Sequence, residues 1–332
     1  MTSLTRRSLL SSGAVIAAAG TISAPAQVFG QDGTLDLTGK SVLITGCSSG
    51  FGRLTAEHLA RSGAKVFATM RNLPRAEGDE LIKLVETDGL DIHVLQIDVT
   101  SDDEVSDGAA EAERIAGGGM DILINNAGIG ITSPVEVQDM EATQLIFDTN
   151  VFGPQRMARA ALPAMRAKGG GQIFNVSSQL GRVILPNTGH YSATKFALEA
   201  MSEQLAYELV PHNIDVTIIE PGGYPTKIWV NRNGYTAALK ERSDAKHLEG
   251  YPAAAARMGQ EDGSRRSADP MDVPRAIAKV IAMPPGKRPL RVPVHPGRKP
   301  QEPINALTAK VQTEWLGNSP YGPWIKDVHR VT

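Results

Sequence analysis

Apolar and polar positions follow two rhythms along this chain. Short, nearly continuous apolar runs recur at 40–45, 64–70, 92–97, 121–124, 172–176, 214–220 and 290–294. They lack a wet face, which predicts strands buried on both sides of a sheet. Between them lie longer stretches with helical spacing: from the glycine-rich turn at Gly50 to about Gly63, 79–87, from the cap-like Thr100-Ser101-Asp102-Asp103 to Gly117, 139–168, 191–209 and 272–283. Pro211 stops the fifth of these. Strands alternating with helices predict a doubly wound α/β domain over 38–297, with a mostly parallel seven-stranded sheet and helices on both faces. Residues 227–270 break the rhythm. They are polar, rich in Ala and Gly and mixed in charge, and we expect a mobile, substrate-covering insertion there. The extension 298–332, carrying Trp315 and Trp324, packs either on the core or on another subunit.

The first 26 residues follow neither rhythm. Paired arginines (Thr5-Arg6-Arg7-Ser8-Leu9-Leu10) precede a weak apolar run, 14–19, and then Ala24-Pro25-Ala26. The order resembles a twin-arginine export signal with a small-x-small cleavage site, joined by a linker (27–37) to a fold beginning near Leu35. The apolar run is too short to span a bilayer, so no integral membrane span is expected in the mature chain. The expected location is periplasmic; the alternatives are a cytoplasmic protein with a disordered tail, or one anchored by an uncleaved signal.

Composition narrows the classes further. A 332-residue chain with a formal charge of −2 argues against a general nucleic-acid or anionic-membrane surface. Lys287-Arg288 and Arg298-Lys299 are read as solvated faces. The single cysteine, Cys47, precludes an intrachain disulfide, and no Cys/His cluster suggests a metal site.

Candidate chemistry gathers at the ends of the predicted strands. The first leads into Gly46-Cys-Ser-Ser-Gly50-Phe-Gly52 and a helix, a turn that lets backbone N–H groups approach a phosphate at the helix N-terminus. No Gly-Lys-Ser/Thr closes this turn, so it is not an NTPase loop. The second strand ends at Arg71, where dinucleotide folds that favour a free ribose carry an acid; an arginine there suits a 2′-phosphate, unless it is an ordinary loop residue. The third ends at Asp98-Val99 and the fourth at Asn125-Asn126-Ala127-Gly128, small residues and amides that leave room for a ligand. Asn150 sits inside a predicted helix, through either a buried hydrogen bond or a kink holding a water. Tyr191 and Lys195, four apart, share one helix face. An ammonium about 5 Å from the phenol contributes about 3 kcal/mol at an effective dielectric of about 20, enough to lower the phenol by about two pH units.

Set in order, Thr45-Gly-x-x-x-Gly-x-Gly52, Asp98, Asn125-Asn-Ala-Gly128, Asn150, Ser178, Tyr191-x-x-x-Lys195 and Pro221-Gly222-x-x-x-Thr226 resemble the short-chain dehydrogenase/reductase family over about 38–295. Thr-Gly-Cys-Ser-Ser-Gly, Ala-Thr-Met-Arg-Asn and the late Arg-Val-Pro-Val resemble its 17β-hydroxysteroid and retinol dehydrogenase branch. The resemblance implies a Rossmann fold, a homodimer or homotetramer, and NADP(H)-dependent interconversion of an alcohol and a carbonyl on an apolar or mid-sized substrate. Tyr191 would be the acid/base, helped by the charge of the oxidised nicotinamide. Lys195 would lower its pKa and hold the nicotinamide ribose. Ser178, chosen over Ser177 by its spacing from Tyr191, would orient the substrate oxygen, and Asn150 would hold a relay water. Gly46, Ser49, Gly50, Phe51 and Gly52 would meet the pyrophosphate, and Arg71 the 2′-phosphate. Asp98 and Val99 would meet the adenine end, Asn125, Ala127 and Gly128 the adenosine ribose and central strand, and Pro221, Gly222, Tyr224 and Thr226 the nicotinamide. Gly223-Tyr224-Pro225 departs from the family's commoner small or β-branched residues. Other readings are an NAD-preferring sugar or polyol dehydrogenase and a non-catalytic NADP-binding sensor.

Overall fold

The computed structural model describes residues 35–330; the expected export signal, 1–26, and most of the 27–37 linker lie outside the described residues. Seven strands are present in that range: β1 (Ser41–Ile44), β2 (Lys65–Met70), β3 (Ile92–Gln96), β4 (Ile122–Asn125), β5 (Gly171–Val176), β6 (Ile214–Pro221) and β7 (Arg291–Val294). They form one sheet in the order β3-β2-β1-β4-β5-β6-β7, with every neighbouring pair parallel. The order reverses between β1 and β4. Chain connections leave in opposite directions there and open a crevice at the strands' carboxyl ends.

Helices cover both faces, as the unbroken apolar runs predict. On one side α1 (Gly50–Arg61), α2 (Ala76–Asp88) and α10 (Asp272–Ile281) pack on Val42, Ile44, Ile124 and Phe174. On the other, α3 (Asp102–Ala116), α5 (Gly153–Lys168) and α6 (Tyr191–Leu209) pack on Leu43, Phe67, Leu123 and Ile173. Successive strand residues feed opposite cores, the period of two that a strand imposes. Leu37 is fully buried in the first core, so the fold takes in the end of the linker. The predicted helix 139–168 is two helices, α4 (Met140–Phe147) and α5, joined by a π turn at Asp148–Phe152 that contains Asn150. Arg288 is not a solvated face: its guanidinium bonds Asp215 at 3.0 Å, and both side chains are mostly buried.

The insertion is helical. Its α7 (Ile228–Arg242), α8 (Ala245–Glu249) and α9 (Pro252–Arg257) lead to a small third core in which Leu239 and Met258 meet Ile129, Ile131 and Ile146. The C-terminal extension packs on the chain's own core. Its α12 (Gly322–His329) buries Ile325 and Val328, while α11 (Gln301–Leu316) buries Gln301 and leaves Leu307, Val311 and Trp315 exposed.

Candidate active site

The crevice at the β1–β4 reversal is a cleft of about 1000 Å³, at the upper end of small-molecule sites. Two loops build its floor. Thr45 Oγ1 accepts from the backbone N–H of Asn126 and of Ala127, both at 3.0 Å, and the Asn126 amide donates to the carbonyls of Thr45 (2.9 Å) and Gly46 (3.2 Å). The glycine turn and the Asn-Asn-Ala-Gly turn are therefore one unit. Gly46 has φ +74°, and a Cβ there would stand 2.8 Å from Ala127 Cα. The turn is tight because only glycine fits it. Above it, the Thr226 side chain lies 3.5 Å from where a Gly50 Cβ would be. A phosphate cradle of glycines, Ser48, Ser49 and Thr226, leading into α1 and ending toward Arg71, fits a nicotinamide dinucleotide.

Gly46, Ser49, Gly50, Phe51, Arg71, Asp98, Val99, Ala127, Gly128, Ser178, Tyr191, Lys195, Pro221, Gly222, Tyr224 and Thr226 all line the cleft. Three expected residues do not. Asn125 is the last residue of β4, on the face opposite Ile124, and its amide bonds Asn175, whose own amide bonds Ser202 on α6. It ties the sheet to a helix and does not reach the cleft; its neighbour Asn126 does. Gly52 sits behind the cradle, where a Cβ would come within 2.4 Å of Asn126 and of the Gly46 carbonyl. The missing side chain lets α1 start close against the turn. Asn150 is fully buried: its Oδ1 accepts from the Ile129 N–H (2.8 Å), and its Nδ2 donates to the Ile129 carbonyl (2.9 Å) and Thr194 (3.1 Å). The π turn brings it to the Gly128–Lys195 wall, where it holds the strand-end loop.

The Tyr–Lys pair opens α6. Lys195 is buried and donates to the Val176 carbonyl at 3.0 Å; its Nζ lies 5.8 Å from the centre of the Tyr191 ring. Burial pulls the ammonium down to about 8, with the Glu199 carboxylate opposing. Burial also pushes the Tyr191 phenol above its ordinary value; the Ser178 hydroxyl beside it and the Arg232 charge pull the other way without winning. This corrects the expectation of a phenol lowered by Lys195. The cost of desolvating a phenolate outweighs the neighbouring charge here. Ser178 lines the cleft and caps a short 3-10 turn, its Oγ accepting from the Leu180 N–H at 3.1 Å.

Residues 40–235 match the short chain dehydrogenase family. The chain belongs to this family. Its relatives include the 3-ketodihydrosphingosine reductase of Bacteroides thetaiotaomicron, 40% identical over 192 residues, covering 58% of this chain and 66% of that protein, just under two thirds of its length. Retinol dehydrogenase 8 of Bos taurus is 35% identical over 266 residues, covering 75% of this chain and 80% of that one. Among solved structures, a short-chain dehydrogenase from Streptomyces avermitilis aligns with a TM-score of 0.65 at 30% identity, covering 83% of this chain and 94% of that one.

Several lining residues of this short-chain dehydrogenase escaped the sequence reading. Arg75 stands beside Arg71, its Nη1 donating to the Arg71 carbonyl at 3.4 Å. Arg71 itself donates to Tyr235 Oη of α7 at 2.7 Å, a contact between the second strand and the insertion. Trp229, Arg232, Glu261 and Arg266 line the cleft from the insertion, and His295 lines it from beyond β7. Tyr224 reaches the cleft but is chiefly a pillar: it is almost fully buried, its ring meets Phe51 and His295 edge-on at 5.4 Å each, and its hydroxyl bonds Asp272 at 3.2 Å.

Proposed function

We propose that this protein is an NADP(H)-dependent oxidoreductase that interconverts an alcohol and its carbonyl, with Tyr191 as general acid/base. The observation that carries the reading is the meeting of Ser178, Tyr191 and Lys195 in the cleft whose floor is the glycine cradle. A bound nicotinamide supplies the hydride donor or acceptor and, when oxidised, a positive charge. Ser178 holds the substrate oxygen toward the phenol. Tyr191 gives its proton to a carbonyl oxygen and, in the reverse direction, takes one from an alcohol. Lys195, held by the Val176 carbonyl, keeps a cation below the phenol ring. Its ammonium is lost as pH rises through about 8, so carbonyl reduction declines above that pH.

Arg71 supports NADP over NAD. A guanidinium hydrogen bond to a phosphate contributes about 1.5–3 kcal/mol, or about ten- to a hundredfold in affinity. In fluorescence titrations, Arg71→Ala is expected to weaken NADPH by that factor and leave NADH within about twofold; an unchanged NADPH affinity would remove the assignment.

We propose, too, that the paired arginines near the N-terminus direct export by the twin-arginine route, which carries folded proteins. Fractionation with N-terminal sequencing is expected to find the mature chain in the periplasm without 1–26. A cytoplasmic protein that keeps Met1 rejects this.

A further inference from the structure

The insertion carries a charged platform that the proton chemistry does not use. Trp229 is fixed by its indole N–H, which donates to the Tyr224 carbonyl at 2.6 Å. Two guanidinium carbons, those of Arg232 and Arg266, each lie 4.4 Å from the centre of its ring. Stacking of this kind holds the planar guanidinium and leaves its edge free for an anion. Glu261 approaches Arg266 at 3.9 Å. Among the described residues Arg232 makes no hydrogen bond or ion pair, and its Nε is buried without a partner. A half-buried guanidinium with an orphaned donor is costly to maintain, so the site favours a ligand that satisfies it.

The position is specific. The Arg232 stem packs on Gly130, its Cδ 3.1 Å from where a Cβ would stand, just beyond the Asn-Asn-Ala-Gly turn. Its charge reaches the Tyr191 phenol. The phosphate cradle and Arg71 are met instead by Thr226 and Tyr235, before and after Arg232 on the same stretch. Arg232 thus faces the reacting end of the cleft. Two guanidiniums and one carboxylate leave the platform with one positive charge, which a singly charged group neutralises.

We propose that Arg232, stacked on Trp229 beside Arg266, recognises a carboxylate on the substrate, so that the alcohol/carbonyl pair belongs to a hydroxy acid and its oxo acid. This rests on the oxidoreductase reading for its chemistry but not for its binding. A guanidinium accepts a carboxylate through two parallel N–H donors and anchors the molecule with its carbonyl toward Tyr191.

The test uses the full chain. Reduction of 3-, 4- and 5-oxooctanoate and of their methyl esters is followed with NADPH, and octanoate binding to the NADP⁺-loaded protein is measured by calorimetry. At least one acid is expected to show a kcat/KM about ten- to a hundredfold above its ester, the range of one charge-assisted pair. Arg232→Gln is expected to abolish that preference and weaken octanoate about tenfold or more; Arg232→Lys retains part of both. Octanoate binding that is absent, or insensitive to Arg232→Gln, overturns the carboxylate site whatever the turnover. So does a variant that loses NADP⁺ affinity instead, which would assign Arg232 to the cofactor. Arg232-dependent octanoate binding with none of these ketones reduced by NADPH supports the site and counts against the NADP(H) oxidoreductase reading.

Discussion

Tyr191→Phe is expected to lower turnover by about a hundred- to ten-thousandfold, the usual contribution of a positioned acid/base, and to leave NADP(H) binding unchanged. The reason is local. The ring packs with the third core beneath the insertion, and Phe keeps that contact. What is lost is the one hydroxyl beside Ser178 that can exchange a proton with the substrate oxygen. Lys195 donates to the Val176 carbonyl, and its Nζ lies 5.8 Å from the centre of the Tyr191 ring, so in this reading it supports the phenol's charge and does not take its place. Single-turnover hydride transfer with cofactor affinity measured in parallel separates the roles. A variant that binds NADPH normally and reduces substrate at the wild-type rate would end the assignment of Tyr191, and with it the acid/base reading of α6.

The fold was legible because its signals are local. A strand buried on both faces is an apolar run, and seven such runs separated by helical spacing leave little choice of architecture. The phosphate turn was legible for the same reason: Gly46 and Gly50 announce a backbone that other residues cannot adopt. What failed depends on direction or on distant partners. Asn125 and Asn126 are adjacent and chemically identical, but alternation at a strand end sends one behind the sheet and the other to the cleft floor. The insertion hid its helices because α7 buries only Thr236 and Leu239, too few apolar positions for a visible stripe. Arg232 and Arg266 are 34 positions apart and become a pair only through Trp229. The Tyr191 pKa was misjudged because spacing reports a neighbour and not the burial of the group itself.

A second large effect is expected beneath the catalytic helix. Arg291 of β7 bonds Glu199 at 2.8 Å and Glu203 at 2.6 Å, both on α6, and approaches Glu220 of β6 at 3.7 Å. Glu199 lies one turn after Lys195. All four side chains are buried or nearly so. Arg182 faces the same cluster from the loop after β5, Asn305 of α11 donates to Glu220 at 2.7 Å, and Tyr207 and His329 meet Glu203. Burial and the Glu199 charge push Glu220 well above the carboxylate range, so at neutral pH it keeps a proton. Two carboxylates then balance two guanidiniums. Glu203 is different: despite its burial, the His329 and Tyr207 hydrogen bonds and the Arg291 charge bring it down to about 2. Glu203 contributes stability that is present above the unfolded carboxylate value and lost as pH falls through about 2. Glu220, with a raised value, contributes stability that is present below the unfolded value and lost as pH rises. Arg291→Met removes the central cation and leaves buried carboxylates unpaired, at a cost of about 3–5 kcal/mol in unfolding free energy. The stranded carboxylates can recover part of this only by binding protons. The loss should therefore be smaller near pH 5.5 than at pH 8, changing by up to about 1.4 kcal/mol per pH unit for each proton retained. Urea unfolding of both proteins at the two pH values measures it. A loss under about 1 kcal/mol, or one equal at both pH values, would show that the cluster does not hold α6 to the sheet by charge. If the loss follows pH as argued, Arg291→Met should also lower turnover, because Lys195 and Tyr191 ride on the same helix that Arg291 secures.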